Sequence, residues 1–447
     1  VFNKSWLIVP ALAALLGCAA TKPPARTASA APAAPRVTIP KDPYPSTYRR
    51  YPGVPTVVTN VTIYDGEGGR IENGQILLAD GKVVALGQTV SAPAGATVID
   101  GHGKWVTPGI IDIHSHLGDY PSPAVEAHQD GNEATSPVRP EVWAEHSVWP
   151  QDPGFSRALM NGGVTSLQIL PGSANLFGGR SVVLKNVPAR TVQGMKFPGA
   201  PYGLKMACGE NPKRVYGSRN QMPATRMGNI AVDRQTWQRA VEYKRRWDAY
   251  DRGGAGEPPA RDLAMDTLRG VLAGEILVHN HCYRADEMAI VIDMAKEFGY
   301  KVTAFHHAVE SYKIADLLRD NGICSAMWAD WWGFKMEAYD AVNENIPLVH
   351  NAGACAIVHS DDPNGIQRLN QEAAKALADG RRIGIQITDE MAWTWLSYNP
   401  AKALGIADRT GSLKPGKMAD VVLWNGNPFS VYSRPEKIWI DGALMYD

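Results

Sequence analysis

Thr107-Pro108-Gly109-Ile110-Ile111-Asp112-Ile113-His114-Ser115-His116 is the stretch on which the reading of this chain turns. The run from Gly109 to Ile113 is apolar apart from Asp112 and follows a Pro-Gly turn, as expected of a buried strand. Side chains at i and i+2 of a strand share a face, so His114 and His116 project together where the strand should end. Two imidazoles on one rigid element form half of a divalent-metal site.

Downstream of this stretch, strands alternate with helices. Strands are expected at 109–114, 164–170, 181–187, 202–208, 276–281, 301–306, 323–328 and 355–360. Helical spacing of apolar residues marks 285–299 and 311–322, each ending at Gly. Such alternation is the pattern of a parallel sheet. Eight strands with intervening helices read as an α/β chain with a (β/α)8 TIM barrel, whose chemistry sits at the C-terminal strand ends. Upstream, 56–108 is a set of short β-branched segments broken by glycines, and the same texture returns near the C-terminus. A small β-sandwich domain built from both chain ends is expected, from 53–108 and 412–447, flanking a barrel over 109–411.

Three further strand ends carry chemistry-bearing residues. In Val278-His279-Asn280-His281, His281 is the expected ligand and His279 a packed core residue one layer deeper. In Phe305-His306-His307, strand alternation allows only one histidine inward, and parity leaves the choice between them open. His359-Ser360-Asp361-Asp362 closes the last strand; an acid there can bind metal and exchange a proton with water. Alternation points Asp362 away from the mouth. Four such sites on strands of one barrel converge on one mouth.

Lesser candidates surround that mouth. The Gly-rich stretch 171–180 lacks the Gly-Lys-Ser ending of a phosphate loop and reads as a substrate-facing loop carrying Asn175. Tyr283 and Arg284 follow His281 and are placed to meet a substrate carboxylate. Trp328, Trp331 and Trp332 follow the seventh strand as a pocket wall, Trp331 being the substrate-binding candidate among them.

These motifs resemble the amidohydrolase superfamily, in the branch related to imidazolonepropionase. The resemblance runs from about Val57 to Asp447. It rests on Thr107 to His116, His281, His307 and His359-Ser360-Asp361, on Asn399-Pro400-Ala401, and on Gly411-Ser412-Leu413-Lys414-Pro415-Gly416-Lys417-Met418-Ala419-Asp420. It implies a metal-dependent hydrolase of C–N bonds in amides, peptides or cyclic amides. His114, His116, His281, His307 and Asp361 take the ligand roles. It implies a metal-bound hydroxide as nucleophile, Asp361 as general base, and His307 or His281 as a stabiliser of the oxyanion. One or two divalent ions are expected, with Zn²⁺ the first choice for N/O donors. Many relatives bridge two metals through a carboxylated Lys or a Glu. Glu210, just past a strand end, is the preferred bridging candidate here; Lys205, inside the strand, is the second. Deamination of a small heterocycle on the same site is the alternative, and a non-catalytic ligand-binding lipoprotein is the alternative of another class.

Composition bounds the rest. The 447 residues carry 45 basic and 45 acidic side chains, which excludes the basic excess of a nucleic-acid binder. The partner expected is a small-molecule substrate, and a homo-oligomer is compatible with the sequence. Residues 1–18, with Lys4, an apolar run and Leu15-Leu16-Gly17-Cys18, read as a lipoprotein signal peptide with Cys18 lipidated. Residues 19–52, rich in Ala, Pro and Thr, read as a tether. The folded part is thus expected at the periplasmic face of a bacterial cell envelope, held to the membrane by its lipid. Cys208, Cys282, Cys324 and Cys355 lie at or near buried strands and are expected to be free thiols.

Overall fold

A computed structural model describes residues 37–253 and 257–447. Five strands come first: β1 (Thr56–Tyr64), β2 (Arg70–Ala79), β3 (Lys82–Gly87), β4 (Thr97–Asp100) and β5 (Trp105–Pro108). Eight follow in the centre: β6 (Ile110–Ser115), β7 (Val164–Ile169), β8 (Phe177–Lys185), β9 (Gly203–Ala207), β10 (Leu277–His281), β11 (Val302–His306), β12 (Cys324–Met327) and β13 (Cys355–Val358). The chain ends in β14 (Val421–Trp424), β15 (Pro435–Ile440) and β16 (Ala443–Tyr446).

The first and last groups form one sheet in the order β16-β15-β14-β5-β1-β2-β3, with β4 beside β1. The two chain ends meet where β14 runs antiparallel to β5, Val421 opposite Pro108. Val58, Val61, Ile76, Leu413, Val421 and Trp439 are among the residues of its core. Gly109 is the joint between this sheet and the barrel. A Cβ there would lie 2.0 Å from Thr165 Oγ1, so only glycine lets β6 pass this close to β7.

The central strands form a nearly closed barrel in the order β6 to β13. Its closure is made by groups after β13: Asp361 N donates to His114 O at 3.0 Å, and Ser360 Oγ to the same oxygen at 3.1 Å. Trp237, Trp247, Trp393 and Trp395 are fully buried between helices and strands, where much of the chain's indole surface goes. No helix among the described residues is long and apolar enough to cross a membrane.

Three expectations change. First, β8 is antiparallel to both its neighbours. Only residues 170–176 connect β7 to β8; a parallel crossover needs a dozen residues or more, so a hairpin is the only connection within reach. Second, the cysteines are paired, Cys208 with Cys282 and Cys324 with Cys355, at Cα separations of 5.2 and 4.4 Å. Register explains both. Ala207 pairs with His281, which sets the next residues side by side, and Cys324 pairs directly with Cys355. Third, the end of the stretch read as tether is fastened to the body. Lys196 Nζ binds Asp42 Oδ1 at 2.9 Å, Ser46 Oγ donates to Lys196 O at 2.6 Å, and Tyr48 Oη donates to Asp441 Oδ2 at 2.5 Å. Its tyrosines supply apolar rings with polar tips, which the Ala/Pro composition obscured. Cys18 and the rest of 1–36 lie outside the described residues.

Barrel and sheet are also joined by charge. Lys185, at the end of β8, is fully buried, with Nζ 2.9 Å from Asp441 Oδ2 and 3.4 Å from Asp420 Oδ1. Thr410 Oγ1 and the Asp441 backbone N–H donate to Asp420.

Candidate metal centre

His114 leaves β6 with Nε2 3.3 Å from Asp361 Oδ1, and His116 approaches the same oxygen at 3.1 Å. His307 Nε2 lies 3.8 Å from the other carboxylate oxygen. Donor atoms of His114, His116 and Asp361 fall within 4.8 Å of one another, as do those of His114, His307 and His359. Each set is compact enough to hold one ion.

Hydrogen bonds on the far side of these rings fix which nitrogen carries the proton. His116 Nδ1 sits 2.8 Å from Leu170 O, and a carbonyl only accepts, so Nδ1 is the donor and Nε2 keeps its lone pair. His359 Nδ1 likewise donates to Met327 O at 3.1 Å, which makes its Nε2 the acceptor for His307 Nδ1 at 2.8 Å. His307 Nε2 is then a lone pair as well. His114 Nδ1 meets His306 Nδ1 at 2.8 Å, and His306 Nε2 meets His279 Nδ1 at 2.9 Å. His279 Nε2, at the far end of this relay, has no partner to set its direction.

Burial keeps the rings neutral. It pushes His114, His281, His306 and His307 well below the ordinary histidine range and His359 to about 4; the nearby charge of Lys205 adds to this for His114, His281, His306 and His359. The lone pairs of His116 and His307 thus face the Asp361 carboxylate with no donor between them. His281 is buried with neither ring nitrogen partnered. A cation satisfies this donor set, and neutral imidazole with carboxylate is the form in which such ligands bind.

Both histidines at the end of β11 face the mouth, although alternation allows one. His307 adopts φ +62°, outside the strand conformation, and the turn swings its ring back beside His306. Asp361, at φ +59°, is aimed by the same device. Asp362 points elsewhere, its Oδ1 accepting from Asn364 N at 2.9 Å.

Lys205, not Glu210, is brought to the histidines. Strand β9 ends at Ala207, and Gly209 at φ +79° turns the chain into the helix Glu210–Gly217. Glu210 therefore opens that helix with its N–H on Glu337 Oε2 at 2.7 Å. Lys205 is paired in register with His279, and its Nζ donates to Pro171 O at 2.9 Å. Burial pushes its ammonium down to about 7.

The remaining candidates divide. The Tyr283 ring stacks on His307 at 5.6 Å between centroids, and Trp328 covers it at 4.5 Å. Trp331 meets Trp328 edge-on at 4.9 Å and, with Trp328, His359, Ser360 and Asp362, lines a cavity of about 290 Å³. Asn175 is buried and structural, its Nδ2 donating to Glu133 O and Ser136 O. Arg284 turns outward to Asp286, its Nε 2.9 Å from Oδ1. His279 and Asp112, which sequence reasoning left out of the site, belong to it, as do His306, the open alternative to His307, and His359, quoted without a role. His359 shares strand parity with Asp361, a signal that could have found it. Asp112 accepts from Ser360 Oγ and His114 N, and burial raises its carboxyl to about 7.

A barrel with histidines and an acid at its strand ends, beside a sheet built from both termini, defines a class, and the comparisons identify it. Residues 105–445 match the Amidohydrolase family. The chain belongs to that family, and so to a superfamily of hydrolases and deaminases that usually use a divalent metal. It is 32% identical over 433 residues to Amidohydrolase tasK of Hapsidospora irregularis, covering 88% of this chain but 43% of that relative's length. It is 23% identical over 392 residues to imidazolonepropionase of Mesorhizobium japonicum, covering 81% and 90% of the two chains. The solved structure of an amidohydrolase from Thermotoga maritima superposes with a TM-score of 0.80 at 35% identity, covering 88% and 99%.

Proposed function

We propose that the chain is a metal-dependent hydrolase cleaving a C–N bond of an amide, peptide or cyclic amide. The observation that carries this reading is the convergence of three Nε2 atoms, from His114, His116 and His307, on the Asp361 carboxylate. His114, His116, His281, His307 and Asp361 would hold a divalent ion, zinc by preference for nitrogen and oxygen donors. That ion would supply Lewis acidity, polarising a carbonyl and lowering the pKa of a water.

The chain's own groups do the rest. Asp361, ionised and open to the mouth, receives the proton of the attacking water and returns it to the departing nitrogen. His359 fixes the tautomer of His307 from behind, and His306 bonds His114. Tyr283 and Trp328 lie on the His307 face and keep bulk water from it. Lys205, uncharged in part at neutral pH, is better placed than Glu210 to bridge two ions once carboxylated.

Metal analysis of wild type and of the His114→Ala/His116→Ala double variant, alongside a screen of dipeptides, N-acyl amino acids and cyclic imides, tests this reading. Full metal content in the variant would refute the assignment. Release of ammonia alone from a heterocycle would move the activity to deamination.

The proposal extends to location at the periplasmic face through a lipid on Cys18. Two disulfides support an oxidising compartment. Membrane fractionation of wild type against Cys18→Ser checks it; wild type found wholly soluble and without lipid would sink it.

A further inference from the structure

We propose that Lys335 binds a carboxylate of the substrate, so that the chain acts on acids such as N-acyl amino acids in preference to their neutral amides. This rests on the hydrolytic reading above and adds the substrate's charge to it.

Lys335 lies in the segment between β12 and β13 that covers the mouth. Its Nζ sits 4.0 Å from the centroid of the Tyr283 ring, the ring that stacks on His307. Its one hydrogen bond among the described residues is to Asn211 Oδ1, at 3.3 Å. Asn211 in turn donates to Ser173 Oγ in the loop after β7, so that loop, the helix after β9 and the segment after β12 meet at this ammonium. An ammonium has three donors, and here two find no protein acceptor.

No carboxylate among the described residues comes within 4 Å of Lys335, whereas the buried Lys185 and Lys196 and the half-buried Lys244 and Lys417 each have one. Glu337, Glu210 and Asp361 are the nearby acids, none of them within 4 Å. Glu337 is occupied by the Glu210 N–H, and burial raises its carboxyl to about 7, so it is a poor counter-ion at neutral pH. Burial also disfavours the charge on Lys335 itself. Its place over the Tyr283 ring, which stacks on His307, ties it to the reaction centre rather than to the outer surface. A cation partly stripped of water, unpaired, and standing beside the reaction centre is completed by an anion from outside the chain. The carboxylate of an N-acyl amino acid lies a few bonds from its scissile carbonyl, which suits that position. Trp331 and Phe334, exposed at the rim, offer apolar surface for the rest of such a molecule.

The test compares N-acetyl amino acids with their carboxamides on the metal-loaded full chain, by kcat/KM for compounds that turn over and by calorimetric affinity for those that do not. A charge-assisted hydrogen bond predicts that wild type favours the acid about 10- to 100-fold. Lys335→Met should collapse the acid-to-amide ratio towards one, chiefly through KM, and Lys335→Arg should restore most of it. Arg284→Gln, whose side chain turns outward, should leave the ratio as it is. A merely structural Lys335 would lower both compounds together and leave the ratio intact, which overturns the proposal. So does equal handling of acid and amide by wild type, or failure of every acid in the panel to bind. Acids that bind through Lys335 without being cleaved would uphold this inference and count against the hydrolytic reading alone.

Discussion

Asp361→Asn separates proton transfer from architecture. Asn tolerates the left-handed backbone that Asp361 adopts at φ +59°, so the strand end should keep its course. The new amide retains one acceptor and gains an NH2 where His116 presents a lone pair at 3.1 Å. In the metal-free protein this replaces a contact without a donor by a hydrogen bond, and stability should hold or rise by about 1 kcal/mol. Turnover should move the other way. An amide is no useful base, and loss of general acid–base catalysis costs ~10²–10⁴-fold, or about 2.7–5.5 kcal/mol of activation free energy. Asp362→Asn is the control. Its Oδ1 caps the backbone of Asn364 and Gly365, a role that Asn fills at a cost of a few tenths of a kcal/mol. Steady-state kinetics on the metal-loaded proteins and urea melts on the chelated ones give the two readouts. Equal loss of kcat in both variants, or an unstable metal-free Asp361→Asn, would refute the lone-pair assignment and the choice of base.

Lys205, held near 7 against an ordinary value of 10.5, binds fewer protons folded than unfolded between those limits. Stability of the chelated protein should therefore rise with pH from about 7 to 10, by up to ~1.4 kcal/mol per unit. Lys205→Met should flatten that rise in urea melts; identical slopes would show that Lys205 is not buried as described. Lys185→Met leaves Asp420 and Asp441 buried without their cation and should cost about 3–5 kcal/mol by the same melts; a loss below 1 kcal/mol would remove this pair as the joint between sheet and barrel. Reduction of Cys208–Cys282 and Cys324–Cys355 should lower stability by roughly 2–4 kcal/mol for each bond, and titration of the denatured chain should find four fewer thiols before reduction than after. Unchanged melts with reductant would contradict the pairing.

What could be read ahead of the structure was whatever repeats locally. Period-two alternation put His114 beside His116, and the apolar runs between Gly turns placed seven barrel strands to within two residues at most ends. The eighth, β8, was placed four residues late and in the wrong direction. Its antiparallel course is decided by the length of the loop before it rather than by its own residues. Register between strands left even less trace. Neither cysteine pair follows from spacing in the chain, since 74 and 31 residues separate the partners; each follows from which residues two parallel strands set side by side. Lys205 ranked second because it lies inside the strand expected at 202–208, yet β9 stops at Ala207 and puts Lys205 two residues from its functional end. His307 and Asp361 escape strand alternation through positive φ, a cost the backbone bears at both positions. Both of those outliers aim a side chain at the same point in the mouth. Local preference was therefore overridden where the donors converge, and that is where a site under functional constraint is expected to break the pattern of its own strand.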